Sequence, residues 1–255
     1  MSNFFNFFLN KFKENLIIKS SSPKIISAFL NYINLILLLN VFSKEQFAQI
    51  LLVEMLVGLL MAFLIANQNN LLIRKAIGEG HIDSKFFIYS SFAIKTLVAL
   101  FGFFLLIFLY LIINNFDFLN FLKFSSFNFY LYIYLYSIFI DLCLLLSLIF
   151  ISREKYKKNF FLIVFLPFST LLAIILSSLI NVDLEFYFLS KVLILIVIFL
   201  IFLIYSFDDN KGEQINKLRL YRNYISYVLS KQFPLSCSAL YSTSTYSLPV
   251  FLFGY

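Results

Sequence analysis

The chain has 255 residues, of which 62% are hydrophobic and only 13% are charged, and its mean hydropathy is +0.92. A water-soluble domain could not cover that much apolar surface, so the composition excludes a sizeable soluble domain and indicates a membrane protein.

Long apolar runs without charges divide the chain into membrane-spanning helices. A hydrocarbon core of about 30 Å needs about 20 apolar residues in a helix, and the alternating pattern of a membrane β-barrel is absent from nearly all of these runs. We predict an all-α polytopic helix bundle with six complete spans and a partial seventh. The predicted spans are 24–42, 47–67, 86–113, 127–150, 160–180, 187–206 and 234–255.

The basic residues between the spans predict the orientation. Sixteen Lys and Arg residues flank one set of helix ends, whereas the opposite set holds only Lys44, Lys123 and Lys191. Because Lys and Arg are retained on the cytoplasmic side, the N-terminus is predicted to be cytoplasmic. The net charge of +7 then reflects this topology and attraction to anionic lipid headgroups, and it requires no nucleic-acid partner.

The segment before the first span, residues 1–22, is interpreted as an amphipathic helix on the cytoplasmic surface, with a frayed tail as the alternative. Its apolar positions at helical spacing are Phe4, Phe5, Phe8, Phe12 and Leu16. The remaining predicted parts are a six-helix bundle at 23–206, a basic cytoplasmic loop at 207–231 and the start of a second bundle at 232–255.

Cysteine and histidine usage argues against metal and disulfide chemistry. Cys143 and Cys237 both fall inside predicted helices, and His81 is the single histidine. We interpret the cysteines as small packing residues and His81 as a residue of the polar inner loop 67–85. Gly78 and Gly80 form a G-x-G without a preceding strand, which is no nucleotide fingerprint. No cofactor site, metal site or enzyme is predicted.

Three charged residues inside the predicted spans are the site candidates: Glu54, Lys95 and Asp141. A charge near the bilayer centre costs at least a few kcal/mol and is tolerated mainly where it faces protein or a wet cavity. In the functional interpretation, Lys95 attracts an anionic substrate group while a carboxylate binds a proton or Na⁺ that couples transport. In the structural alternative, Glu54 or Asp141 pairs with Lys95 and only holds the helices in register.

Polar and aromatic residues near the outer ends leave two further choices open. Amide side chains in the first span serve interhelical hydrogen bonds or sugar contacts; they are Asn31, Asn34 and Asn40. The tyrosines of the fourth span are predicted to form an aromatic belt at the outer interface in preference to a sugar-stacking platform; they are Tyr130, Tyr132, Tyr134 and Tyr136. Pro167 can kink the fifth span, where neighbours must satisfy the freed carbonyl.

Two segments carry a resemblance to a known family. The stretch SPKIISAFLNYINLILLLNVFSKEQFAQI resembles the opening helix and outer turn of polysaccharide or O-antigen flippases of the multidrug/oligosaccharidyl-lipid/polysaccharide exporter superfamily. The following ILLVEMLVGLLMAFLIANQNNLLIRKAIGEG is similar to their second helix and basic inner loop, with Arg74 at the usual basic position. This chain departs from the pattern at Ala48, where Gly is usual, and at Asn40, where Arg is common.

The resemblance implies two six-helix bundles related by an axis along the membrane normal. In keeping with this, Pro23, Ser27 and Ala28 recur at one offset as Pro234, Ser238 and Ala239. On this interpretation the chain is a truncated flippase. We expect it to be inactive unless it dimerises or a separate chain supplies the other half.

The implied function is movement of an undecaprenyl-linked oligosaccharide across the bacterial plasma membrane, without covalent chemistry. Its partners would be membrane lipid, the lipid-linked oligosaccharide and polysaccharide-assembly proteins. Alternatives are a small-molecule exporter of the same superfamily, a membrane-embedded enzyme of polysaccharide assembly and a structural subunit. The short predicted outer loops argue against the enzyme.

Overall fold

The computed structural model describes residues 16–65, 68–78, 85–115, 126–180, 183–207, 226–227 and 231. Seven α-helices and no strands occur in these ranges. The helices are α1 (Leu16–Val41), α2 (Lys44–Ile65), α3 (Gln68–Gly78), α4 (Lys85–Asn115), α5 (Phe127–Ser152), α6 (Tyr156–Ile180) and α7 (Leu184–Phe207). All except α3 are long and apolar enough to cross a membrane. The chain is therefore an all-α polytopic membrane protein, as predicted.

The first predicted boundary differs most from the structure. Helix α1 begins at Leu16 and runs without interruption through Pro23, so the division placed after residue 22 falls inside one helix. The phenylalanines of the predicted amphipathic segment lie outside the described residues. So do His81, Cys237, the predicted seventh span and all of the predicted loop 207–231 except the few positions given above.

Two helix starts have recognisable capping residues. Before α2, the Gln46 backbone N–H donates to the Ser43 hydroxyl over 3.2 Å, and the Ser43 backbone N–H donates to the Gln46 side chain over 3.0 Å. This reciprocal pair is a capping box, which satisfies backbone donors that the helix start leaves open. Before α7, the Glu185 backbone N–H donates to the Asp183 carboxylate over 3.1 Å, and so α7 begins at Leu184.

Helix α3 occupies part of the segment predicted to be a polar inner loop. Gln68, Asn69, Leu72 and Ile73 are buried, whereas Arg74 is exposed. The buried positions recur at the spacing of one helix face, which explains why this short segment becomes helical when it packs on the bundle. That face contacts α5.

Helix α5 is the centre of the bundle, because it packs against α2, α3, α4, α6 and α7. Helix α1 packs mainly along α6 and contacts α2 at only a few positions, although α1 and α2 are consecutive in the chain. Two consecutive helices are thus held apart by their separate partners. The gap between them contains the cavity described below.

Two of the four α5 tyrosines do not belong to the predicted belt. Tyr130 and Tyr134 are buried. The Tyr134 hydroxyl donates to the Ala99 carbonyl of α4 over 2.6 Å, and the Tyr130 ring meets Tyr110 edge-on at 5.7 Å between centroids. The belt prediction is therefore wrong for these two residues, because they lie on the face of α5 that packs against α4.

Cys143 is buried in a core formed by α3, α4, α5, α6 and α7, which agrees with the predicted packing role. Pro167 lies inside α6. The Asn34 side-chain amide donates to the carbonyl oxygen of Pro167 over 2.8 Å. This bond is one of the interhelical contacts that join α1 to α6, and it matches the structural interpretation of the Asn34 amide.

Candidate functional site: a polar cavity beside an ion pair

The three predicted site residues do not come together in one place. Lys95 of α4 pairs with Asp141 of α5, with 2.6 Å between Nζ and a carboxylate oxygen, and both side chains are buried. Asn69 of α3 donates a hydrogen bond of 2.8 Å to the other carboxylate oxygen of Asp141. Lys95 is thus already neutralised by an acidic partner, and Asp141 joins three helices. This arrangement matches the structural alternative for these two residues.

The space beside the Lys95–Asp141 pair is small. A cavity of about 10 Å³ is lined by both side chains and by neighbours that include Tyr134. Such a volume holds one water molecule at most. No organic substrate fits there without a rearrangement of α4 and α5.

Glu54 forms a second ion pair, with Lys191 of α7. Its Oε1 atom lies 3.3 Å from the Nζ atom of Lys191. Lys191 was counted among the basic residues at the outer helix ends, but α7 begins at Leu184 and Lys191 lies about two turns inside it. Lys191 is buried within the bundle.

Aromatic rings surround the Lys191 ammonium group. Its Nζ atom lies 3.9 Å from the centroid of the Tyr136 ring, and the Tyr187 and Phe188 rings are 5.5 and 5.4 Å away. The negative faces of aromatic rings attract a cation, and the attraction is strengthened by burial. One carboxylate and three rings therefore hold the ammonium group within the bundle.

A cavity of about 300 Å³ lies next to this pair. Its wall comes from α1, α2, α5, α6 and α7, which places it in the gap between α1 and α2. Its polar lining residues include Asn31, Asn34, Glu54, Tyr136, Thr170 and Lys191. The volume is at the lower end of the range of small-ligand pockets, so the cavity has room for one ring-sized group.

The helices place the cavity residues at a similar depth. At 1.5 Å per residue, Lys191 lies about 10 Å along α7 from its first residue, and Glu54 lies about 15 Å along α2 from Lys44. Both helices begin at the predicted outer end. Lys95 lies about 15 Å along α4 from Lys85, and α4 begins at the predicted inner end. The cavity is thus in the predicted outer half of the bundle, and the Lys95–Asp141 pair is in the inner half.

Within the ion pair, the carboxylate is the more accessible partner. The Glu54 side chain is 38% exposed, whereas that of Lys191 is 6% exposed. A molecule that enters the cavity therefore meets the Glu54 carboxylate before the ammonium group. Two amides of α1 lie in the same wall, and Thr170 shares a hydrogen bond of 3.3 Å with the Tyr136 hydroxyl.

No protein-family model, curated protein or solved structure matches this chain.

Proposed function

We propose that this multi-pass membrane protein is a flippase that moves an undecaprenyl-linked oligosaccharide from the inner to the outer leaflet of a bacterial plasma membrane. The observation that supports the proposal is the cavity at Glu54 and Lys191, because it brings polar and charged groups into the apolar interior of a bundle. A bundle that needed only to be stable would gain little from such a space, since buried polar groups are costly in lipid unless they are satisfied.

The route of a lipid-linked oligosaccharide combines two surfaces. The lipid chain remains against the apolar outer faces of the helices, and the first sugar ring enters the polar cavity. Alternating access then requires a second bundle that rocks against this one, as the resemblance implies. Lys95 and Asp141 are excluded from substrate contact in this arrangement, because they are paired with each other beside a water-sized space.

The cavity volume also favours a second candidate, the export of a small polar molecule. About 300 Å³ holds one small solute but not an extended oligosaccharide. The two candidates differ in what crosses the membrane, since the flippase moves a lipid and the exporter moves a free solute.

The test uses the full chain in liposomes that contain undecaprenyl diphosphate carrying a fluorescent oligosaccharide. A membrane-impermeant quencher reports the label in the outer leaflet only. We expect label from the inner leaflet to become accessible when the protein is present, either with this chain alone or after a second bundle has been supplied. A proton gradient and a sodium gradient are imposed in separate runs to identify a coupling ion.

Variants assign the movement to the cavity. Lys191→Gln should slow it, whereas Lys157→Gln should not, because Lys157 is exposed at the start of α6. If neither movement nor specific binding of the labelled lipid is seen in either preparation, the flippase proposal is wrong. Transport of free sugars without lipid movement would favour the small-molecule exporter.

A further inference from the structure

The strongest unassigned feature is the balance of hydrogen-bonding groups around the cavity. Three donors are already used. The Asn34 amide nitrogen donates to the Pro167 carbonyl, the Ser137 hydroxyl donates to the Ile133 carbonyl, and the Lys191 ammonium donates to Glu54. Donors remain in the Asn31 amide and in the Tyr187 hydroxyl, which has no hydrogen-bond partner in the part of the chain that the structure describes.

Acceptors remain in the same wall. The Asn34 side chain is only 3% exposed, and its Oδ1 atom accepts no hydrogen bond from the part of the chain that the structure describes. A buried acceptor without a partner is costly, so a ligand that donates to it gains that energy back. The exposed amide of Asn31, one helical turn earlier, and the carboxylate of Glu54 add further acceptor oxygens.

The net charge of the cavity is zero, because Glu54 and Lys191 neutralise each other. An anionic ligand would be repelled by the accessible carboxylate of Glu54. A cationic ligand would lose its hydration beside a carboxylate that Lys191 already neutralises, and desolvation of an ion without a free counter-charge is costly. The arrangement therefore disfavours a net charge of either sign in the ligand.

Apolar residues complete the wall: Leu35, Leu38 and Ile133. A ligand that fits all of these features has several hydroxyl donors at its edge, an apolar face and no charge. A neutral pyranose ring has this combination. We propose that the cavity is a binding site for one uncharged sugar ring and that the Glu54–Lys191 pair selects against acidic sugars. The choice of a sugar over other polyols as the ligand rests on the proposed function.

The test compares three soluble probes with the same short tail: hexyl glucoside, hexyl glucuronide and hexyl glucosaminide. Binding to the full chain in phosphatidylcholine nanodiscs is measured by saturation-transfer difference NMR, with empty nanodiscs subtracted. We expect the neutral glucoside to bind about tenfold more tightly than either charged probe, because each of these adds a charge that the neutral cavity leaves without a free partner.

Replacement of the Glu54 carboxylate should remove the discrimination against the acidic probe. In Glu54→Gln, the Lys191 ammonium loses its anion, so the glucuronide should gain at least about tenfold relative to the glucoside. The matched control is Glu45→Gln, at the exposed first turn of α2, which should keep the wild-type ranking.

The amide variants test the acceptors. Asn34→Leu should weaken glucoside binding by about two- to tenfold, the value of one hydrogen bond. Asn31→Leu should weaken binding in the same direction and leaves the Asn34–Pro167 bond in place, so it remains informative if Asn34→Leu does not fold. Asn40→Leu is the control, because Asn40 is exposed on the same helix and is not among the cavity-lining residues.

Three results would overturn the inference: no glucoside binding above empty nanodiscs, a wild-type preference for a charged probe, or an unchanged ranking in Glu54→Gln. The flippase assay fails or succeeds separately. Movement of the lipid without glycoside binding would remove the sugar site and leave the proposed function. Glycoside binding with the predicted ranking but no lipid movement would support the sugar site and contradict the proposed function.

Discussion

The Lys95 ammonium and the Asp141 carboxylate form an ion pair in the interior of the bundle, and their side chains are only 2% and 10% exposed. Burial of two charges costs several kcal/mol for each ion, so the pair persists because each member satisfies the other. Asn69 provides a further donor to Asp141. The pair therefore joins α4 to α5, and Asn69 attaches α3 to the same point.

Loss of one member of this pair should destabilise the fold more than loss of both. Asp141→Asn leaves the Lys95 charge buried without an anion, and we expect it to lower the free energy of unfolding by about 3–5 kcal/mol. The double variant Lys95→Met/Asp141→Leu should recover most of that loss, because it replaces the ions with apolar side chains of similar size.

Cys143 provides the measurement. Its thiol is buried, so its reaction with a thiol-specific fluorophore during heating reports unfolding in a Cys237→Ser background. Lys157→Met is the control, since an exposed lysine should change stability by less than about 0.5 kcal/mol. Equal destabilisation in the single and double variants would show that the charges are not coupled.

Removal of the Asn69 amide should release α3 from the bundle. Asn69→Ala loses a hydrogen bond to a charged group, which is worth about 1.5–3 kcal/mol. We expect faster amide hydrogen exchange across Gln68–Gly78, with little change in α6 and α7. Arg74→Ala, which alters an exposed position of the same helix, should leave exchange as it is. Protection of α3 that is unchanged in Asn69→Ala would contradict the proposed attachment.

The sequence predicts the class of the protein and most of the helices well. Five predicted spans agree with α2, α4, α5, α6 and α7 to within about four residues at each end, because long charge-free runs and flanking charges mark them. The pairing of Lys95 with an acidic residue was one of the two predicted arrangements. These features depend on local composition or on the cost of a charge in lipid, and both are visible in a sequence.

The partner of Glu54 was not predicted, because Lys191 was counted with the basic residues at the outer helix ends although it lies inside the predicted span 187–206. Asp183, a good N-cap residue, was the signal that α7 starts one turn earlier and that Lys191 therefore lies deeper in the bundle. The belt prediction for Tyr130 and Tyr134 was wrong for another reason. Sequence gives the depth of Tyr134 along its helix, but the inward face is decided by neighbours that are distant in the chain, such as Ala99.

Helices α4 and α5 approach each other closely at Gly102, so this position should not accommodate a side chain. A Cβ atom there would overlap the Tyr134 hydroxyl and the Leu64 side chain. We expect Gly102→Ala to destabilise the bundle by about 1–3 kcal/mol, the usual cost of overpacking. Gly58→Ala is the matched control, because a Cβ at Gly58 meets nothing within 4 Å and alanine has the better helix propensity.

A second substitution separates this clash from a general effect of alanine. Tyr134→Phe removes the hydroxyl that the new Cβ would meet, so Gly102→Ala should cost less in that background. The expected coupling energy is about 0.5–3 kcal/mol, measured by the same Cys143 unfolding assay. Strictly additive effects would mean that Tyr134 does not limit the approach of the two helices.

The orientation predicted from the basic residues can be tested with single cysteines, in a background with Cys143→Ala and Cys237→Ser. Glu45→Cys places a thiol at the exposed start of α2, and Lys157→Cys places one at the exposed start of α6. A membrane-impermeant maleimide should label the first variant in intact cells and the second only after permeabilisation. The opposite result would place the cavity at Glu54 and Lys191 in the cytoplasmic half of the membrane. A sugar ring would then bind there on entry from the cytoplasm, whereas the predicted orientation places the cavity close to the side of release.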